Sequence, residues 1–151
     1  MKKSLDKANL PEVSKKQALE RHKSLIELGS TKTPLLSLLC NEAIAAGVKQ
    51  IIVVTGSDHQ DFRLWRESYT KAYPAVTIDF AIQPEPLGTA DAVHQAVEQF
   101  PILQKSAFII ANGDNLYSKN AFKKLNSLDS ENNFQFNGYI EANRIMLGET
   151  N

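Results

Sequence analysis

The chain alternates two kinds of hydrophobic pattern. Short apolar runs occur at QIIVV (50–54) and AFIIA (107–111), β-branched and without polar interruption, as strands buried on both faces are. Val76, Ile78, Phe80 and Ile82 alternate strictly with their neighbours, which predicts a third strand. Between these runs the apolar spacing changes to three and four. Leu36, Leu39, Cys40 and Ala43 mark one helix face, and Val93, Ala96, Val97 and Phe100 mark another. Phe62, Trp65, Tyr69 and Tyr73 lie near one face of a helix expected over Ser57–Tyr73 and ended by Pro74. Thr33-Pro34 reads as an N-cap followed by proline at the first helical position, and Gly47 stands where a terminating glycine belongs. Thr89 is expected to cap the helix after it. A further helix is predicted from Lys119 to Leu128, one from Pro11 to Arg21, and a short strand from Lys23 to Leu28, stopped by Gly29.

Strands alternating with helices imply βαβ units: an α/β, three-layer Rossmann-like sandwich with a mostly parallel sheet. In such sheets ligands bind outside the carboxyl ends of the strands. Three polar loops fall on that edge: Thr55-Gly56-Ser57-Asp58, Gln83 to Thr89, and Asn112-Gly113-Asp114-Asn115. The organisation follows as a basic arm (1–22), one folded domain (23–128) and a polar tail of unassigned role (129–151).

Composition narrows the classes. With 151 residues, the chain can bury about 68–70% of its unfolded surface in one domain. Its formal net charge is zero, so no overall field favours nucleic acid or an anionic membrane. The charge is uneven, because residues 1–25 carry seven Lys or Arg against three Asp or Glu. A solvated chain end accounts for such an arm. The lone cysteine, Cys40, excludes an intramolecular disulfide and reads as core packing. No apolar run approaches the roughly 18 residues of a membrane span, and the basic start has no apolar stretch behind it. Cytoplasm is the expected location.

Two loops carry candidate chemistry. Asp114 ends a buried strand, where a carboxylate suits Mg²⁺, a cation that takes one or two carboxylates with substrate phosphates completing its shell. The same Asn-Gly-Asp-Asn sequence is also good turn chemistry. In the loop Gln83-Pro84-Glu85-Pro86-Leu87-Gly88-Thr89, Gln83 offers an amide with donor and acceptor, and Gly88 leaves the backbone open to a flat ring. A rigid connection into a helix would explain the loop equally well. The helix beginning at Thr89 favours nearby phosphate through its positive end. His59 and His94 fall on exposed helix positions and are not expected to be ligands. Neither GxGxxG nor GxxxxGK[ST] occurs.

In order, the segments HKSLIELG, TPLLSLLCNEAIAAGVKQIIVVTG, QPEPLGTADAV and FIIANGDNLYS resemble the N-terminal half of the sugar-phosphate nucleotidyltransferase family, from about Lys23 to Leu125. QPEPLGTA is similar to the family's Q-x-x-P-x-G-T-A loop, and FIIANGDN to its strand ending in Gly-Asp-Asn. In the first segment His22 replaces the usual proline. The resemblance implies that Gln83 and Gly88 contact the base of an NTP, that Lys23 reaches a phosphate and that Asp114 holds Mg²⁺. Lys23 and Asp114 are then the catalytic candidates. Pro84, Thr89, Asn112 and Gly113 complete the nucleotide-binding set. It further implies attack by a phosphorylated acceptor, such as a sugar 1-phosphate, on the α-phosphorus of the NTP, with release of pyrophosphate. The family's opening glycine-rich loop, Gly-x-x-[Ser/Thr]-Arg, has no counterpart here, nor does its later sugar-binding half. The sheet is therefore expected to be incomplete, and the chain to be part of a longer protein. The alternative is a degenerate, non-catalytic nucleotide-binding or protein-interaction domain. Oligomeric state is not legible.

Overall fold

The computed structural model describes residues 22–127 and the strand Arg144–Leu147. The helix expected over Pro11–Arg21 lies outside these residues, as does most of the 129–151 segment. A 3-10 turn at Lys23–Leu25 leads into a two-residue hairpin, β1 (Glu27–Leu28) and β2 (Thr33–Pro34). There follow α1 (Leu35–Ala45), β3 (Gln50–Thr55), α2 (Gln60–Ala72), β4 (Thr77–Ile82), α3 (Thr89–Gln99) and a 3-10 turn at Pro101–Gln104. The described chain closes with β5 (Ile109–Asn112), α4 (Lys119–Asn126) and β6 (Arg144–Leu147).

The predicted periods mark the right elements, with shifted ends. Thr33 does not cap α1. A residue before proline is pushed to extended backbone, so Thr33 pairs with Leu28 in the hairpin, and the helix begins at Leu35. Only two residues of the strand expected over Lys23–Leu28 are extended, because the 3-10 turn takes the first three. Helix α2 starts at Gln60 rather than Ser57, where the His59 ring contacts the Ser57 carbonyl at 3.0 Å. Gly47 does close α1. At φ +105°, it lets its own N–H reach the Ile44 carbonyl, while that of Val48 reaches Ala43, the paired pattern of a Schellman motif.

The large sheet has the order β4-β3-β6-β5. Strands β3 and β4 are parallel, in register from Gln50 opposite Thr77 to Thr55 opposite Ile82. Strand β6 runs antiparallel to both β3 and β5, so β3, β4 and β5 all point the same way. The sequence pattern predicted no strand in the 129–151 segment. The backbone of Arg144–Leu147 nonetheless separates β3 from β5, pairing Ile145 with Val53 on one side and Ala111 on the other.

Helices cover both faces. Ile51, Val53 and Ile78 pack with Leu36, Leu39, Cys40 and Ala43 of α1, Phe62, Trp65 and Tyr69 of α2, and Phe122 of α4. Ile52, Val54 and Ala81 face the other way, onto Ala92 and Ala96 of α3 and Leu103. Helices α1 and α2 are further joined at matching four-residue steps. Trp65 Nε1 donates to Ser37 Oγ at 2.8 Å, and the Tyr69 hydroxyl donates to Asn41 Oδ1 at 2.7 Å. Cys40 is buried, as expected, and burial pushes its thiol pKa up to about 12.

Candidate functional site

The three predicted loops lie at the carboxyl ends of β3, β4 and β5. The β4 loop is the most closely built. The backbone N–H of Gln83 donates to the Thr55 carbonyl at 2.8 Å, extending the β3–β4 ladder one residue past Ile82. The side of Ile82 that this ladder leaves open is closed by Gln99, which accepts from its N–H and donates to its carbonyl, both at 2.8 Å. The strand end is thus fixed before the chain turns through Pro84 and Pro86.

Gln83 is 2% exposed. Its Nε2 donates to the Gly88 carbonyl at 3.0 Å and to Asp91 Oδ2 at 2.6 Å, so both amide hydrogens are used. Its Oε1 has no partner. Among the described residues it shares that condition, buried and unpaired, with one other side-chain atom, Thr55 Oγ1 at the end of β3. Native structures pair nearly all such atoms, and exceptions point to missing partners such as water, ion or ligand.

Gly88 sits at φ +100°, ψ −174° and is the N-cap of α3. Few L-residues accept that φ. A Cβ there would meet no atom within 4 Å, so the backbone conformation, rather than crowding within the chain, requires glycine. The face is open, as a stacked ring would need. Thr89 is the first residue of the helix, not its cap, and the cap position offers no side-chain bond. With Gly88 supplying the turn, no side chain remains at the N-cap to bind the first amides. Pro84 to Gly88 are exposed, and Leu87 is 69% exposed. Sequence reasoning did not single out Leu87, although an apolar residue between proline and glycine at a sheet edge was a usable signal.

At the end of β5, Asn112 and Gly113 are buried and Asp114 is partly exposed. The Asn115 N–H reaches the Asn112 carbonyl at 3.4 Å, so Asn-Gly-Asp-Asn is also a turn. Lys23 is exposed in the first 3-10 turn. Its neighbour His22 packs against Phe62 of α2 with ring centroids 5.0 Å apart, which brings the segment to the start of that helix, next to the β3 loop. His59, placed by sequence on an exposed helix position, is the half-buried N-cap of α2. It accepts from Arg63 Nε at 3.0 Å and lies 5.5 Å from the Phe80 ring, over which Arg66 also sits.

The structure therefore joins Gln83, Gly88 and Asp91 in one network, with Pro84 and Thr89 on the same loop. Asn112, Gly113 and Asp114 form a second group. Strands β3 and β6 separate the two, about 14 Å at the usual interstrand spacing. A ligand touching both must lie along the edge, as a nucleotide with base at one end and phosphates at the other could. The family model for nucleotidyl transferases matches residues 18–142, most of the chain.

The chain belongs to the nucleotidyl transferase family.

No curated protein and no solved structure matches it. The described residues contain no group of three or more His, Cys, Asp or Glu that could hold a metal ion. No helix among them is long and apolar enough to cross a membrane.

Proposed function

We propose that this domain binds an NTP along the carboxyl edge of its sheet and serves transfer of the nucleotidyl group to a phosphorylated acceptor of the sugar 1-phosphate class. The supporting observation is Gln83 Oε1, a buried acceptor without a partner just past the end of β4. A base N–H would satisfy it, and the open face of Gly88 would admit the ring.

In the reaction, an oxygen of the acceptor phosphate forms a bond to the α-phosphorus. The bond from that phosphorus to the bridging oxygen of the β-phosphate breaks, and pyrophosphate leaves with the electron pair. No covalent enzyme intermediate is involved. The work of the protein is positioning and charge neutralisation. Gln83 and the 84–88 loop fix the base, and Thr89 opens the helix whose positive end faces the loop. Lys23 offers a cation to a phosphate. Asp114 is a partly exposed carboxylate, a donor that fits Mg²⁺, which completes its shell with phosphates and water. When bound, Mg²⁺ would offset the charge that builds on the phosphates. Asn112 and Gly113 hold Asp114 at the end of β5.

Nucleotide binding without turnover is a second reading, favoured by one observation: the most closely built part of the site is the network of Gln83, Gly88 and Asp91, which this reading gives to the base and not to the phosphates. The two are separated by measuring NTP binding and pyrophosphate release together, for each of the four NTPs with Mg²⁺ and a panel of sugar 1-phosphates. Acceptor-dependent pyrophosphate release supports transfer, and binding alone supports the second reading. If neither is seen, both readings fall.

A further inference from the structure

We infer that Asp91 is a positioning residue that makes Gln83 an acceptor-only contact and so sets which base the site prefers. The inference rests on the nucleotide-binding reading above. A glutamine amide can face a ligand with either its oxygen or its nitrogen, and a site using one freely would accept several bases in several poses. Here that freedom is removed. Both Nε2 hydrogens are committed, to the Gly88 carbonyl at 3.0 Å and to Asp91 Oδ2 at 2.6 Å. Turning the amide over would aim Oε1 at a carbonyl and a carboxylate, neither of which can donate. The carboxylate is the stronger of the two partners, since a charged acceptor shortens and strengthens the bond. Its place in the first turn of α3 suits a negative side chain.

What remains unsatisfied is one buried oxygen with no partner. It rewards an N–H donor and penalises a carbonyl, because a buried acceptor facing another acceptor leaves both unpaired. The bases carry their N–H groups at different places on their edges. An acceptor fixed in position and orientation therefore favours one base over the others. Asp91 need not touch the nucleotide to have this effect.

The test is the affinity of each of the four NTPs, with Mg²⁺, for the parent chain, Asp91→Ala and Asp91→Asn. The parent should show a clear order of preference. Asp91→Ala removes the stronger of the two bonds that hold the amide, leaving only the Gly88 carbonyl, so the spread between best and worst NTP should narrow by up to about tenfold, the scale of one hydrogen bond. Asn keeps an acceptor oxygen at the same reach, so Asp91→Asn should retain the parent's order. A merely structural role would lower all four affinities together and leave the spread intact. Should Asp91→Ala fail to fold, Asp91→Ser, too short to reach Gln83, takes its place. An unchanged spread in a folded Asp91→Ala or Asp91→Ser variant overturns the inference, as does a parent that binds all four equally. A parent that binds none fails the nucleotide-binding reading itself, and this inference with it.

Discussion

The Gln83 N–H donates to the Thr55 carbonyl at 2.8 Å, binding together the ends of two parallel strands where the side chains of Thr55 and Gln83 each bury an oxygen without a partner. Two strand ends are thus fixed, and each carries an unpaired acceptor.

Gly88 tests whether the loop depends on its backbone. Gly88→Ala should destabilise the fold by about 1 kcal/mol or more, because φ +100° disfavours any side chain. It should also weaken NTP binding by placing a methyl group on the open face. Thr89→Ala is the control. With no cap bond to lose, it should change stability by no more than about 0.5 kcal/mol. Urea denaturation of both variants checks the pair. Equal stabilities would show that the loop does not depend on the Gly88 conformation.

Asp114→Asn addresses the metal. If Asp114 holds Mg²⁺, the Mg²⁺-dependent part of NTP affinity should disappear while the melting temperature stays within a few degrees of the parent, since the residue is partly exposed at a strand end. Calorimetric titration with and without Mg²⁺ reads this directly. Parent-like Mg²⁺ dependence in the variant would remove Asp114 from the account.

Glu42 tests a link between distant parts of the chain. Its carboxylate accepts from the Lys119 N–H at the first turn of α4, where Ser118 also caps through its hydroxyl at 3.3 Å. Glu42→Ala should cost about 0.5–2 kcal/mol, the range for a lost cap. The loss should be felt at Phe122, which α4 contributes to the core. Guanidinium melts of Glu42→Ala and Ser118→Ala should both show the loss. Parent stability in both would mean that α4 is held by its apolar contacts alone.

Alkaline pH should destabilise the protein through Cys40. Its folded pKa, about 12, lies above the ordinary 9.0 because burial opposes the thiolate. Above pH 9 the unfolded chain releases a proton that the folded chain keeps. Stability present below pH 9 is therefore lost as the pH rises toward 12. Tyr69 adds to the same trend, its pKa raised first by burial and then by the nearby Cys40 and Tyr73. Cys40→Ala should flatten the decline between pH 9 and 11, and a thiol reagent at pH 8 should label Cys40 no faster than the protein unfolds. Rapid labelling of the folded chain would contradict its burial.

How much of this was legible follows from the kind of signal each part leaves. The runs at 50–54 and 107–111, the alternation through Ile82 and the helix faces of Leu39 and Val93 are periodic, and they located the layers and the carboxyl edge. Caps were less legible. Thr33 and Thr89 have the right chemistry for the position, but a following proline extends the first and a positive-φ glycine displaces the second. Strand β6 was not legible at all, because four residues inside a polar stretch carry no period and their pairing is set by β3 and β5. The QPEPLGTA and NGDN motifs pointed to the candidate residues, which the structure sets at the ends of β4 and β5. The Asp91 contact, which leaves Gln83 with a single free acceptor, exists only in three dimensions.

The most direct measurement is NTP binding to the parent chain and to Gln83→Leu, a substitution of similar volume without the amide. The parent should bind at least one NTP in the presence of Mg²⁺. Gln83→Leu should bind it at least about tenfold more weakly while still unfolding cooperatively, at a stability lowered by the loss of the amide's bonds to Gly88 and Asp91. A parent that binds no NTP, or a folded Gln83→Leu that binds it as tightly as the parent, would contradict the assignment of this edge as the nucleotide site.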